Sequence, residues 1–135
     1  MKPTLFAALL LLTACVAQAE PDVATLYDVT TEGTSTALKA GEKGKVVIAI
    51  NAKAGSHVSD EAPLRIELSS KEAKLDKAKL TLADSVTKPN PRFEVGFTPS
   101  AHGKTTVEAK MTFFICTEKL CSRQTRNLAL PVEVN

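Results

Sequence analysis

The chain has 135 residues, 17 of them basic and 15 acidic, with three cysteines, two histidines, one tyrosine and no tryptophan. That length fits one domain, and 44% hydrophobic with 24% charged residues excludes wholesale disorder. A net charge of +2 supplies no basic stripe for a phosphate backbone, so no nucleic-acid partner is expected, and so few histidines and cysteines argue against a hydrolase or a multi-metal enzyme.

The first segment reads as an address. Met1-Lys2-Pro3 carries one positive charge, and Thr4 to Leu12 (TLFAALLLL) is almost purely apolar. A helix across the bilayer core needs about 20 such residues, so this run is too short to span; a basic start and a short apolar run form a secretory signal pattern. Two cleavage sites compete. Ala17-Gln18-Ala19 is an A-x-A site that would free Glu20, and Leu12-Thr13-Ala14-Cys15 matches a bacterial lipobox, in which Cys15 is lipidated and becomes the first residue. The lipobox follows the apolar run directly and is favoured. The expectation is a leader over residues 1–19 and one domain over 20–135. The protein would sit in the bacterial envelope, periplasmic and membrane-anchored through a lipid on Cys15, or else soluble in the periplasm or secreted. Outside the cytoplasm, the remaining cysteines, Cys116 and Cys121, are expected to be oxidised. Loss of Lys2 leaves charge nearly balanced, and electrostatics names no partner.

The rest reads as strands. Val23 to Thr31 is a first strand. Val46, Ile48, Ile50 and Ala52 then alternate with polar positions. So do Leu64, Ile66 and Leu68, then Phe93, Val95 and Phe97. Val107, Ala109, Met111, Phe113 and Ile115 form the longest such set, and Leu128, Leu130, Val132 and Val134 the last. A period of two puts each apolar set on one face, as in half-buried strands. Turn residues separate the runs: Gly41 to Gly44, Ala54-Gly55-Ser56, Lys88 to Pro91, and Thr98 to Gly103. Glu72 to Leu80 could form a short helix, but Lys79 to Leu82 reads as a strand, which is the preferred assignment. Pro131 has no N–H for a ladder, so the last strand belongs at an edge or turns Pro131 outward. Short strands with turns every 8–12 residues predict an all-β sandwich.

One constellation bears chemistry. Cys116 and Cys121 are separated by four residues at the end of the longest strand run. The pair can be a staple, worth about 2 kcal/mol in the chain-entropy model for so small a loop. It can be an exchangeable disulfide, since Lys119, Arg123 and Arg126 could lower a thiol pKa while Glu118 opposes them. It can also chelate a metal with a histidine, the weakest of the three readings. His57, in Gly55-Ser56-His57-Val58, and His102, before Gly103, read as loop residues. Tyr27 reads as a strand residue, and Lys71 to Lys79 as a solvated face. No triad elbow, phosphate-cradling glycine loop or calcium loop is present, and no cofactor, metal site or small-molecule substrate is indicated.

The order of several short motifs resembles a known family. These are Gly41-Glu42, Gly55-x-His57-Val58, Pro63-Leu64, Phe93-Glu94-Val95, Gly103-Lys104, the long strand into Cys116-x4-Cys121, and Leu128-x-Leu130-Pro131-Val132. Over roughly residues 38–135 they resemble the immunoglobulin-like N-terminal periplasmic domain of the thiol–disulfide interchange protein DsbD and related disulfide-corrector domains. The resemblance implies an immunoglobulin-like antiparallel β-sandwich of about seven to nine strands. It also implies that Cys116 and Cys121 form a redox pair passing reducing equivalents to an envelope thiol protein. It carries His57 only as a motif position. The alternative expectation is a non-enzymatic envelope scaffold with a purely structural disulfide.

Overall fold

The computed structural model describes residues 22–135. The expected leader, both cleavage sites and Cys15 lie outside the described residues. Ten strands form two sheets. The first runs β1 (Tyr27–Thr30), β3 (Gly44–Ala52), β8 (Arg92–Pro99), β6 (Ala73–Leu75) in spatial order. The second runs β2 (Ala37–Leu38), β10 (Cys121–Val134), β9 (Gly103–Cys116), β5 (Arg65–Ser69), β7 (Lys79–Leu80), with β4 (His57–Val58) also on β9. This is the immunoglobulin strand order, four strands against a sheet built around a long C-terminal hairpin. Every pairing is antiparallel except β2 on β10, which is parallel.

The alternating residues meet between the sheets. Ile48, Ile50, Phe93 and Phe97 from one sheet face Ile66, Val107, Met111, Phe113 and Ile115 from the other, all buried. β3 departs from simple alternation, because Val47 and Ala49 are buried too. Val47 lies on the outer face, where the crossing from β1 to β2 folds over it. Thr34 Oγ1 donates to Val47 O at 3.1 Å and accepts from Val47 N at 3.0 Å. Gly33, at φ +96°, makes the turn that brings this crossing against Val47.

Two local expectations change. The first four residues of the expected Val23–Thr31 strand are a 3₁₀ turn, Val23–Leu26, because Asp22 accepts a hydrogen bond from Ala24 N at 3.0 Å and caps it. Likewise β7 stops at Leu80, and Leu82–Asp84 is a second 3₁₀ turn. Thr81 N donates to the Asp84 carboxylate at 2.8 Å, which ends the strand one turn early. The alternative helix over Glu72 to Leu80 does not form; β6 and β7 occupy it. Strands number ten because short bridging segments such as β2 and β4 add to the periodic runs.

Pro131 is turned outward on an edge. Glu133 N and Asn135 N both donate to the β2 segment, at Thr36 O and Leu38 O. Alternation along β10 therefore points the Pro131 nitrogen to that same outer side, away from β9.

Candidate functional site

β9 and β10 are each fourteen residues long and pair along their whole length. Their far end is closed by a tight turn. Thr117 N donates to Leu120 O at 2.8 Å, and Thr117 Oγ1 accepts from Lys119 N and Leu120 N, both at 3.3 Å. Cys116 and Cys121 are the pair next to this turn, directly opposite in register and joined in a disulfide, with Cα atoms 4.0 Å apart.

On its other side Cys116 pairs with His57 of β4. Three side chains thus form one row across three strands: His57, Cys116, Cys121. Directly opposed residues of antiparallel strands share a face. Phe113 and Ile115 point into the core, so Thr112, Phe114 and Cys116 point outward, and the row lies on the outer face. Position within the row sets exposure. Cys116, flanked on both sides, is 4% exposed, whereas Cys121, on the edge strand, is exposed. The chain after β4 reinforces the flank. Ser59 N donates to Phe114 O at 2.9 Å, and Ser59 Oγ accepts from Ala62 N at 3.0 Å.

The cations divide between several tasks. Arg123 is opposite Phe114 and shares the outer face with the sulfurs. With Pro63, Arg65, Thr112 and Phe114 it lines a shallow depression of about 350 Å³ beside the disulfide. Neither Arg65 nor Arg123 pairs with a carboxylate among the described residues. Lys119 and Glu118 sit exposed at the turn. Arg126 faces the opposite way, into the end of the sandwich. Its Nε donates to Tyr27 Oη at 2.9 Å, and its guanidinium carbon lies 5.1 Å from the Tyr27 ring centre. Tyr27 is 2% exposed, donates to Gln124 Oε1 at 3.0 Å, and packs edge-on to Phe113 with centroids 5.1 Å apart. It seals the core beneath the disulfide. Tyr27→Phe strands the Arg126 and Gln124 groups and should lower stability by about 1–3 kcal/mol, read as a shifted urea midpoint with unchanged slope.

His57 is thus set beside Cys116. His102 is not: it precedes Gly103, the residue opposite Val134, at the other end of the hairpin. With both sulfurs bonded to each other, the pair offers no thiolate to a metal, and no group of three potential ligands converges among the described residues. The depression lined by Arg65 and Phe114 was missed in the sequence. Both residues read as solvent-facing partners of core positions, and only the β5–β9–β10 register joins them.

No family model matches the chain, and no curated protein matches it. Solved structures resemble it at low identity, one of them with a TM-score above 0.5. One is the solution NMR structure of a lipoprotein from Bacteroides thetaiotaomicron, 14% identical, covering 89% of this chain and 85% of that one, with a TM-score of 0.51. Others are a conjugative transposon lipoprotein from Bacteroides eggerthii, 8% identical over 79% and 96% with a TM-score of 0.48, and domains 4 and 5 of the S-layer protein SbsC. This chain spans half of that S-layer fragment, at 12% identity and a TM-score of 0.48. At such identities the likeness concerns the fold, which is an immunoglobulin-like β-sandwich.

Proposed function

We propose that the protein is an exported envelope protein that exchanges a disulfide with a dithiol partner, Cys121 being the sulfur attacked. The observation that carries this reading is the row His57, Cys116, Cys121, with one sulfur enclosed and the other at an exposed edge. A thiolate attacks a disulfide along the extension of the S–S bond and displaces the far sulfur. The bond here joins residues directly opposed on β9 and β10. Beyond Cys121 lies the open edge of the sheet, whereas beyond Cys116 lies His57 on β4.

In the exchange, a partner thiolate forms a bond to Cys121 Sγ. The Cys116–Cys121 bond breaks, and its electron pair leaves with Cys116 as a thiolate that takes up a proton. The partner's second thiolate then attacks its own sulfur in the mixed disulfide and releases Cys121. The partner dithiol is oxidised and the pair is reduced. The order of motifs that resembles the interchange-protein domain supports this chemistry, as does the modest need for a staple. Two strands paired over fourteen residues already hold the hairpin, and the disulfide adds about 2 kcal/mol in the chain-entropy model. The signal pattern and the lipobox at Cys15 support an envelope location and a lipid anchor.

The deciding measurement is the reduction potential of the pair in the purified protein, equilibrated in glutathione buffers and read by thiol tagging. Exchange requires about −230 mV or higher. A value below about −300 mV marks a structural disulfide and leaves the scaffold reading, which the 4% exposure of Cys116 favours.

A further inference from the structure

The edge that leads away from Cys121 is itself unfinished. β2 pairs with β10 only at Glu133 and Val134. Backbone direction alternates along a strand, and two observations fix it here. Glu133 N and Asn135 N point to the β2 side, and the Thr117–Leu120 bond closes the turn on the inner side. The N–H and C=O groups of Cys121, Arg123, Thr125, Asn127 and Ala129 therefore point outward. All five residues are exposed, and among the described residues the one outward group with a partner is Arg123 O, which accepts from its neighbour's Gln124 Nε2 at 3.1 Å. The open stretch ends at Pro131.

We infer that this edge of β10 is a strand-addition site for an extended, acidic, cysteine-bearing segment of the exchange partner; the role of the cysteine rests on the exchange reading. A strand added there would satisfy the open ladder, the usual source of affinity in β-augmentation. The residue set opposite Cys121 would extend the row His57, Cys116, Cys121, with its Cα about 5.5 Å away as in any hydrogen-bonded pair. Its sulfur would then lie beside Cys121, on the side away from Cys116. Charge selects the occupant. From Lys119 to Val132 the chain carries Lys119, Arg123 and Arg126 and no carboxylate. A second copy would line the shared seam with guanidinium groups alone, whereas glutamates or aspartates alternating along an added strand would meet Arg123.

The test uses synthetic ten-residue peptides alternating Glu and Val, one with a cysteine near one end, one with serine in its place, and a Lys-for-Glu control. Titrating isotope-labelled protein with the serine peptide should shift the amides of Cys121, Arg123, Thr125 and Asn127 and slow their hydrogen exchange. Thr125→Pro removes one outward donor and no bond to β9, and Arg123→Glu reverses the charge. Each should weaken binding at least tenfold, and Thr125→Pro should leave reduction by a small thiol unchanged; Arg123→Glu covers the case in which the proline variant fails to fold. The lysine peptide should not bind. Absence of shifts in β10 at saturating peptide, equal binding of the lysine peptide, or a dimer joined through β10 would overturn the proposal. The two readings fail separately. Serine peptide bound on β10 without reduction by the cysteine peptide defeats exchange alone. Ready reduction by small thiols with no peptide on β10 defeats the docking edge alone.

Discussion

Cys116→Ser is expected to leave a thiol at Cys121 that iodoacetamide alkylates at least tenfold faster than the Cys116 thiol left by Cys121→Ser. The asymmetry follows from position in the row. Cys121 is exposed on an edge strand, whereas Cys116 is 4% exposed between β4 and β10. A thiol reacts as its thiolate, and burial in apolar surroundings disfavours that charge as well as restricting access. Arg123, on the same face and two residues along, adds a cation near Cys121. In denaturant the two variants should react alike, which makes each its own control. Both should lose only about 2 kcal/mol of stability, because the loop closed by the disulfide is small. Equal native rates, or a faster Cys116, would remove the assignment of Cys121 as the attacked sulfur. On the exchange reading, Cys116→Ser has no disulfide for a partner dithiol to attack and so should not oxidise one.

The second large effect concerns two adjacent phenylalanines. Phe113→Ala should destabilise by about 3–5 kcal/mol, and Phe114→Ala by about 1 kcal/mol. Phe113 is completely buried and meets the Tyr27 ring edge-on. Truncating it opens a cavity under the hairpin end and frees Tyr27 from its packing. Phe114 is half-buried on the opposite face, in the depression with Arg65 and Arg123. Urea unfolding of both variants checks the contrast. Similar losses would mean that the face assignment along β9 is wrong.

Much of the fold could be read from the chain because a period of two is local. The sets from Val46 to Ile50, from Phe93 to Phe97 and from Val107 to Ile115 each declare their inward face without reference to any partner strand. Pro131 declared an edge for the same kind of reason, since it lacks a donor. The register between strands was not legible. Nothing near Gly55 states that His57 will lie opposite Cys116, because that pairing joins residues 59 positions apart. The candidate site suffers most from this. The cysteines were visible as a pair, but which sulfur is enclosed depends on β4 and β10. The roles of the nearby arginines also divide by face: Arg126 at an even position turns in to Tyr27, and Arg123 at an odd position turns out to Phe114. The 3₁₀ turns were missed where a single carboxylate, Asp22 or Asp84, captured a backbone N–H that the strand pattern assigned elsewhere.

The Val23–Leu26 turn packs where the hairpin ends. Leu26 O accepts from Ser56 Oγ at 2.9 Å, one residue before His57, and Tyr27 reaches across to Gln124 and Arg126. The polypeptide therefore joins the domain at the pole that carries the disulfide. From Cys15 to Asp22 is seven residues, and a fully extended chain covers about 3.3–3.6 Å per residue, or roughly 25 Å. A lipid on Cys15 would leash that pole, rather than the distant His102 end, within a few nanometres of the bilayer. Its encounters would then be drawn from thiols embedded in or lying on the membrane surface, at local concentrations that a freely diffusing periplasmic protein would not meet.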